Sequence, residues 1–283
     1  LSGVNTFTGG LTINEGDVSL LGAAGNSFGT GPGTITLNGG WLNMANVQKS
    51  ETAPWNLVLP VGKTAGLFTD GRCSITGKLT GGGTLNIMIP YVRTNFSGDW
   101  SAFTGTINIM YDPHFTPDFR INNNYGYSKA AFWLSQAAAM YKYGSGTTTV
   151  GEISGVAGSE LATKDEAARI SSWIVGTRNT DAIFAGTITG PGNITKSGTG
   201  TWTLSGKIRH TGITWVNGGT LLVTADSIKG SAVVNVNTGG TLGGTPFITG
   251  PVNVNSGGTI APGNSATQTG TMKLLSTLDL RAG

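Results

Sequence analysis

The sequence predicts an all-β chain wound as a solenoid, and three observations carry that expectation. One phrase recurs as Val216-Asn217-Gly218-Gly219-Thr220-Leu221, Val236-Asn237-Thr238-Gly239-Gly240-Thr241-Leu242 and Val254-Asn255-Ser256-Gly257-Gly258-Thr259-Ile260. Its period is roughly 20 residues, and a repeat that short cannot bury an apolar face without a stacked neighbour. Glycine supplies 47 of the 283 residues, more than twice its usual share of roughly 7%. It clusters beside Asn, Thr and Ser without a three-residue period, as tight corners require. Thr, Val and Ile fill the intervals, and β-branched residues suit a pleated, half-buried surface.

Composition removes several function classes. Apolar residues make up 38% and the formal net charge is only +3, the opposite of a disordered chain. The 17 basic and 14 acidic residues are scattered, so no nucleic-acid partner is expected. No apolar run approaches the roughly 20 residues that span a bilayer, so no membrane insertion by this segment is expected. Cys73 is the one cysteine; it reads as a small buried hydrophobe and gives neither a disulfide nor zinc spacing. With His114 and His210 the only histidines, neither a metal nor a cofactor is expected.

Residues 1–111 read as N-terminal coils. Leu1 to Gly16 align without a gap on Leu204 to Gly219, so the chain starts inside a repeat. Either further coils of a longer chain precede it, which makes neighbouring segments expected partners, or this coil is an edge that has lost its protection. Thr34 to Leu37 alternates before an Asn38-Gly39 corner, Leu57 to Leu59 ends at Pro60, and Leu79 to Ile87 forms a further block. A second mark joins an aromatic ring, a small residue and Gly at Phe7, Phe96, Phe103 and Phe184, with His210 in the same phrase. It reads as a packing corner, its ring stacked on the equivalent position of the next coil.

Residues 112–172 fit the repeat least and read as an irregular central excursion from one continuous solenoid over residues 1–283. Ser135 to Met140 has helix propensity and Thr163 to Glu166 matches a capping box, so one or two short helices are admitted there. Residues 173–283 return to strands as C-terminal repeat coils.

Here the residues carry a resemblance. Thr195-Lys196-Ser197-Gly198-Thr199-Gly200-Thr201-Trp202-Thr203-Leu204, followed by Val216 to Val223, resembles the autotransporter-associated β-strand repeat of bacterial passenger domains. Ile260-Ala261-Pro262-Gly263-Asn264-Ser265 is similar to the phrase that often follows such repeats. The resemblance implies a right-handed parallel β-helix on an extracellular or bacterial outer-surface protein, and it implies no reaction.

The acids Glu15, Asp17, Asp70, Asp99, Asp112, Asp118, Glu152 and Asp181 are dispersed beside turns. Glycosidases need two carboxylates about 5 to 9.5 Å apart. No catalytic residue is therefore named, and a polysaccharide lyase or glycoside hydrolase on the same scaffold is the alternative reading. His114, Arg120, Tyr125, Tyr127 and Trp133 in the atypical region combine charge with rings, the mixture that handles a sugar. They are the candidate binding residues. The expectation is a non-catalytic stalk, adhesin or glycan-contacting module, with a polysaccharide or surface glycan as partner.

Overall fold

The structure, a computed structural model, describes residues 8–19, 33–44, 52–69, 74–89, 95–111, 118–121, 125–165, 167–224, 227–230, 232–263 and 268–281. Among these residues the regular elements are β-strands and none is a helix. The strands stack in parallel as a β-solenoid, and the chain forms two compact units, Leu1–Met140 and Tyr141–Gly283.

In the first unit, alternation of apolar and polar residues decides which side of each strand is buried. One face stacks Leu11–Ile13, Thr34–Leu37, Asn56–Leu59 and Leu79–Gly81. A second stacks Asp17–Ser19, Trp41–Met44, Thr64–Thr69, Thr84–Met88, Thr106–Ile109 and Tyr127–Leu134. A third stacks Thr52–Ala53, Ser74–Ile75, Asn95–Phe96 and Asp118–Ile121. Register turns the alternation into columns: Leu42, Leu67, Ile87, Ile109 and Leu134 lie one above another, and all are fully buried.

The second unit repeats the plan with tighter coils. Asn237 lies 20 residues from its partner Asn217, and Asn255 lies 18 from Asn237. Val175, Lys196, Val216, Val236 and Val254 form one column, and Ile188, Ile208, Ile228 and Ile248 another. At the corner of the recurrent phrase the side-chain amides bond in a ladder. The Asn237 amide N–H donates to Asn217 Oδ1 at 2.7 Å, and Asn255 donates to Asn237 Oδ1 at 2.5 Å.

Strands within the central residues join the stacking. Tyr127–Leu134 pairs in register with Thr106–Ile109, and Gly146–Gly155 with Ser171–Val175. Both admitted helices are turns. The Ala138 N–H donates to Ser135 C=O at 3.1 Å while Ala137 takes φ 60°, closing the chain directly after a strand. At the second, the Thr163 hydroxyl donates to Thr189 C=O at 2.7 Å, and Glu166 lies outside the described residues. Asp165 folds the loop by accepting from the backbone N–H of Arg169 at 2.9 Å and of Gly144 at 2.8 Å. Burial raises the Asp165 pKa, but these donors and the Arg169 charge outweigh it and hold the carboxyl below its usual range. Helix propensity loses here because short segments anchored by ladders gain more from pairing than a few residues gain from a helical turn.

The aromatic-small-Gly marks at Phe96, Phe103, Phe184 and His210 bury their rings but do not share one column, and Phe7 lies outside the described residues. Phe96 pairs with Ile75, Phe184 pairs with Leu204, and the coil neighbour of the His210 corner is Gly190. Phe96 stacks on Phe119 at 4.6 Å between centroids, off the expected equivalent position. Four of the marks share a crowded glycine, at Gly98, Gly105, Gly186 and Gly212: a Cβ on Gly105 would lie 2.0 Å from the Gly83 carbonyl oxygen of the coil below, whereas one on Gly9 would meet nothing within 4 Å. At Phe96, Phe103, Phe184 and His210 the phrase serves a corner where an inward ring is followed by close approach of the neighbouring coil.

Val236 is fully buried between Val216 and Val254. Val236→Asp places an unpaired carboxylate in that column and is expected to cost about 3 kcal/mol or more. Chemical denaturation checks this; an unchanged midpoint would contradict the inward column.

Candidate functional site

The residues singled out by sequence lie on both sides of the coil wall, and His114 lies outside the described residues. Arg120 is buried on Asp118–Ile121, in register with Asn95. Tyr127 is also buried, its ring edge-on to Trp100 at 6.1 Å and to Phe132 at 5.3 Å. Tyr125 is 63% exposed, and Trp133 is half-buried on the outward side beside Asn108. Strict alternation does not account for the split: Tyr127 and Trp133 share one strand and the same parity, and the consecutive buried residues Ala130, Ala131 and Phe132 shift the phase between them.

Tryptophans follow the same division. Trp55, Trp100, Trp173 and Trp202 are buried, and three of them place their indole N–H on backbone carbonyls: Gly77 at 3.1 Å, Ala162 at 2.7 Å and Ile153 at 2.9 Å. Trp41, Trp133 and Trp215 are half-buried.

Trp41 builds the more specific surface. Register sets Asp17, Trp41, Gly66, Asn86, Asn108 and Trp133 in one outward column. A second outward column holds Ser19, Asn43, Phe68 and Met88. Between them lies a concavity of about 280 Å³ lined by Asp17, Trp41, Asn43, Phe68 and Met88. Gly66 makes the arrangement possible, because a Cβ there would lie 2.1 Å from Cδ2 and Cε3 of the Trp41 indole. The ring therefore rests against the backbone of the next coil, forming an apolar ledge with a carboxylate and an amide at its rim. Asp17 is the single carboxylate of that lining, whereas hydrolysis of a glycosidic bond uses two.

The second unit has two buried polar features, Lys196, which sequence reading missed, and His210, which it placed at a packing corner. Lys196 occupies the valine column, and its ammonium donates to the carbonyls of Ser197 at 2.7 Å, Gly198 at 3.1 Å and Gly218 at 3.0 Å. Burial pushes its pKa down to about 8, with the Asp181 charge opposing. All three protons are spent on corner carbonyls of two coils, so this cation ties the fold together. The signal for it was a charged residue at the inward parity of Ile194-Thr195-Lys196. His210 is buried, its Nε2 lies 2.9 Å from Thr214 Oγ1, and burial pushes its pKa down to about 4. Among the described residues no three of His, Cys, Asp and Glu are grouped to hold a metal ion.

The passenger-associated-transport-repeat profile matches residues 1–20 and 194–223. Over 81 residues the chain is 37% identical to the Adhesin BmaC autotransporter of Brucella suis biovar 1 (strain 1330). That stretch covers 29% of this chain and 2% of the relative, so the chain spans only a small part of the curated protein it matches.

His210 gives the second unit a defined acid response. Its folded pKa of about 4 lies below the unfolded value of about 6.5. Its contribution is fully present above pH 6.5 and is lost as pH falls toward 4, because the unfolded chain takes up the proton first; the loss is about 3 kcal/mol. Denaturation of His210→Phe and the parent between pH 4 and 7 should show a flatter acid slope in the variant. Equal slopes would remove His210 as the titrating group.

Proposed function

We propose that this length of autotransporter passenger repeat is a non-catalytic part of a bacterial surface adhesin or its stalk, and that it contacts glycans through the Trp41 ledge. The passenger repeats make the chain an extracellular one, surface-exposed or secreted. A relative 37% identical over 81 residues is named an adhesin, and a parallel solenoid with an apolar bore supplies a stiff scaffold for such a role. Neighbouring segments of a longer chain are the other partners in this reading.

The observation that carries glycan contact is the Trp41 indole resting on Gly66 beside Asp17 and Asn43. The C–H face of a sugar ring packs on an indole by apolar contact, and rim acceptors and donors fix its hydroxyls. A lyase or hydrolase reading has one carboxylate to work with in this concavity, and we assign no reaction to it.

Binding of the purified chain to an array of neutral oligosaccharides tests the reading. Trp41→Ala is expected to weaken binding about tenfold, the equivalent of about 1.4 kcal/mol, with an unchanged melting temperature. Gly66→Ala should do the same by pushing the indole off its seat. Undiminished binding by both variants, or steady release of reducing ends by the parent, would overturn it.

A further inference from the structure

A second concavity, of about 470 Å³, lies wholly within the unit Tyr141–Gly283. Thr187, Ser205, Lys207, Arg209, Ser227 and Lys229 supply its polar lining, over a floor that includes Gly158 and Gly206. The ladder explains why cations gather there. Ile188, Ile208 and Ile228 are bridged in parallel succession and buried, so the residues flanking each isoleucine project outward. One outward column is Thr187, Lys207 and Ser227; the other is Thr189, Arg209 and Lys229.

Lys207, Arg209 and Lys229 are exposed, and none makes an ion pair among the described residues. Among the described residues no carboxylate lines the groove. Glu160 pairs in register with Thr187, which puts it two coils from Lys207, and its carboxylate is engaged by the Thr189 hydroxyl. Asp226 lies outside the described residues. Arg209 and Lys229 stand on adjacent coils, one strand spacing of about 4.8 Å apart, where like charges repel. A bound anion between them would turn that repulsion into attraction.

We propose that this groove binds an acidic polysaccharide, a sugar polymer carrying carboxylate or sulfate groups along its length. Cations spaced by the coil repeat meet anions spaced along a polymer, and the hydroxyls of Thr187, Ser205 and Ser227 meet those of the sugar rings. Three cations without an aromatic platform in the lining are a poor match for nucleic acid, which calls for a longer basic track with rings for base stacking. The proposal rests on the reading of the chain as a glycan-contacting surface segment, but it uses neither Trp41 nor its ledge.

The test measures binding of the whole chain to polygalacturonate, dextran sulfate, neutral dextran and duplex DNA at low and high salt. The parent is expected to bind polygalacturonate or dextran sulfate in preference to dextran and DNA, and to weaken as salt rises. The combined variant Lys207→Gln, Arg209→Gln and Lys229→Gln should lose at least tenfold in affinity without a lower melting temperature, while Trp41→Ala retains acidic-polymer binding. Lys207→Gln alone should give a smaller loss in the same direction. Failure of both acidic polymers to bind, tighter binding to DNA, or full retention by the combined variant would overturn the groove assignment. Loss in Trp41→Ala with retention in the combined variant would move the acidic ligand to the ledge.

Discussion

Backbone hydrogen bonding of each coil onto the next, in parallel and in register, is the constraint on which this protein depends. It sets every residue one strand spacing from its counterpart, so whatever a column contains is multiplied along the stack. Aliphatic columns such as Leu42, Leu67, Ile87, Ile109 and Leu134 then exclude water continuously. Amide columns such as Asn217, Asn237 and Asn255 satisfy one another. Close coil approach leaves no room for a Cβ at Gly105, and it lets the backbone of Gly66 seat a neighbour's ring.

The same constraint makes polar residues inside the bore instructive. Lys196 interrupts the valine column yet bonds three corner carbonyls drawn from two coils, so the desolvation of its charge is offset where the chain turns. His210 settles its Nε2 on Thr214 and remains neutral at ordinary pH. Neither residue lines the two concavities described above, and both serve the corners that separate one strand from the next.

Much of this was legible in the sequence because the period of the phrase Val-Asn-x-Gly-Gly is itself the coil. Strands at Thr214–Val216, Val234–Val236 and Val252–Val254 follow directly from it. Between residues 125 and 155 no phrase repeats, and the strands there are held by pairing with distant neighbours that propensity does not encode. Alanines at 137 and 138 suggested a helix because propensity is local, while the φ of 60° at Ala137 is imposed by the strand it ends. Trp41 was visible as an aromatic; its ledge was not, since only register reveals that Gly66 lies beneath it. Candidates in the central region could not be sorted into inner and outer faces by alternation, since Phe119, Arg120 and Ile121 are buried in succession and Tyr127 and Trp133 share a parity.

Trp202 adds something that nearest-neighbour stacking does not provide. Phe184 pairs with both Gly155 and Leu204, so the strand of Trp202 is two coils removed from the strand that contains Ile153. The indole passes the small Ala182 of the intervening coil and donates its N–H to the Ile153 carbonyl at 2.9 Å. A solenoid whose coils touch only adjacent coils can peel turn by turn, like a stack of coins lifted from one end. A bond that skips a coil works as a rivet through three of them. Tension drawn along such a stack would meet, at this point, a block that must give way together.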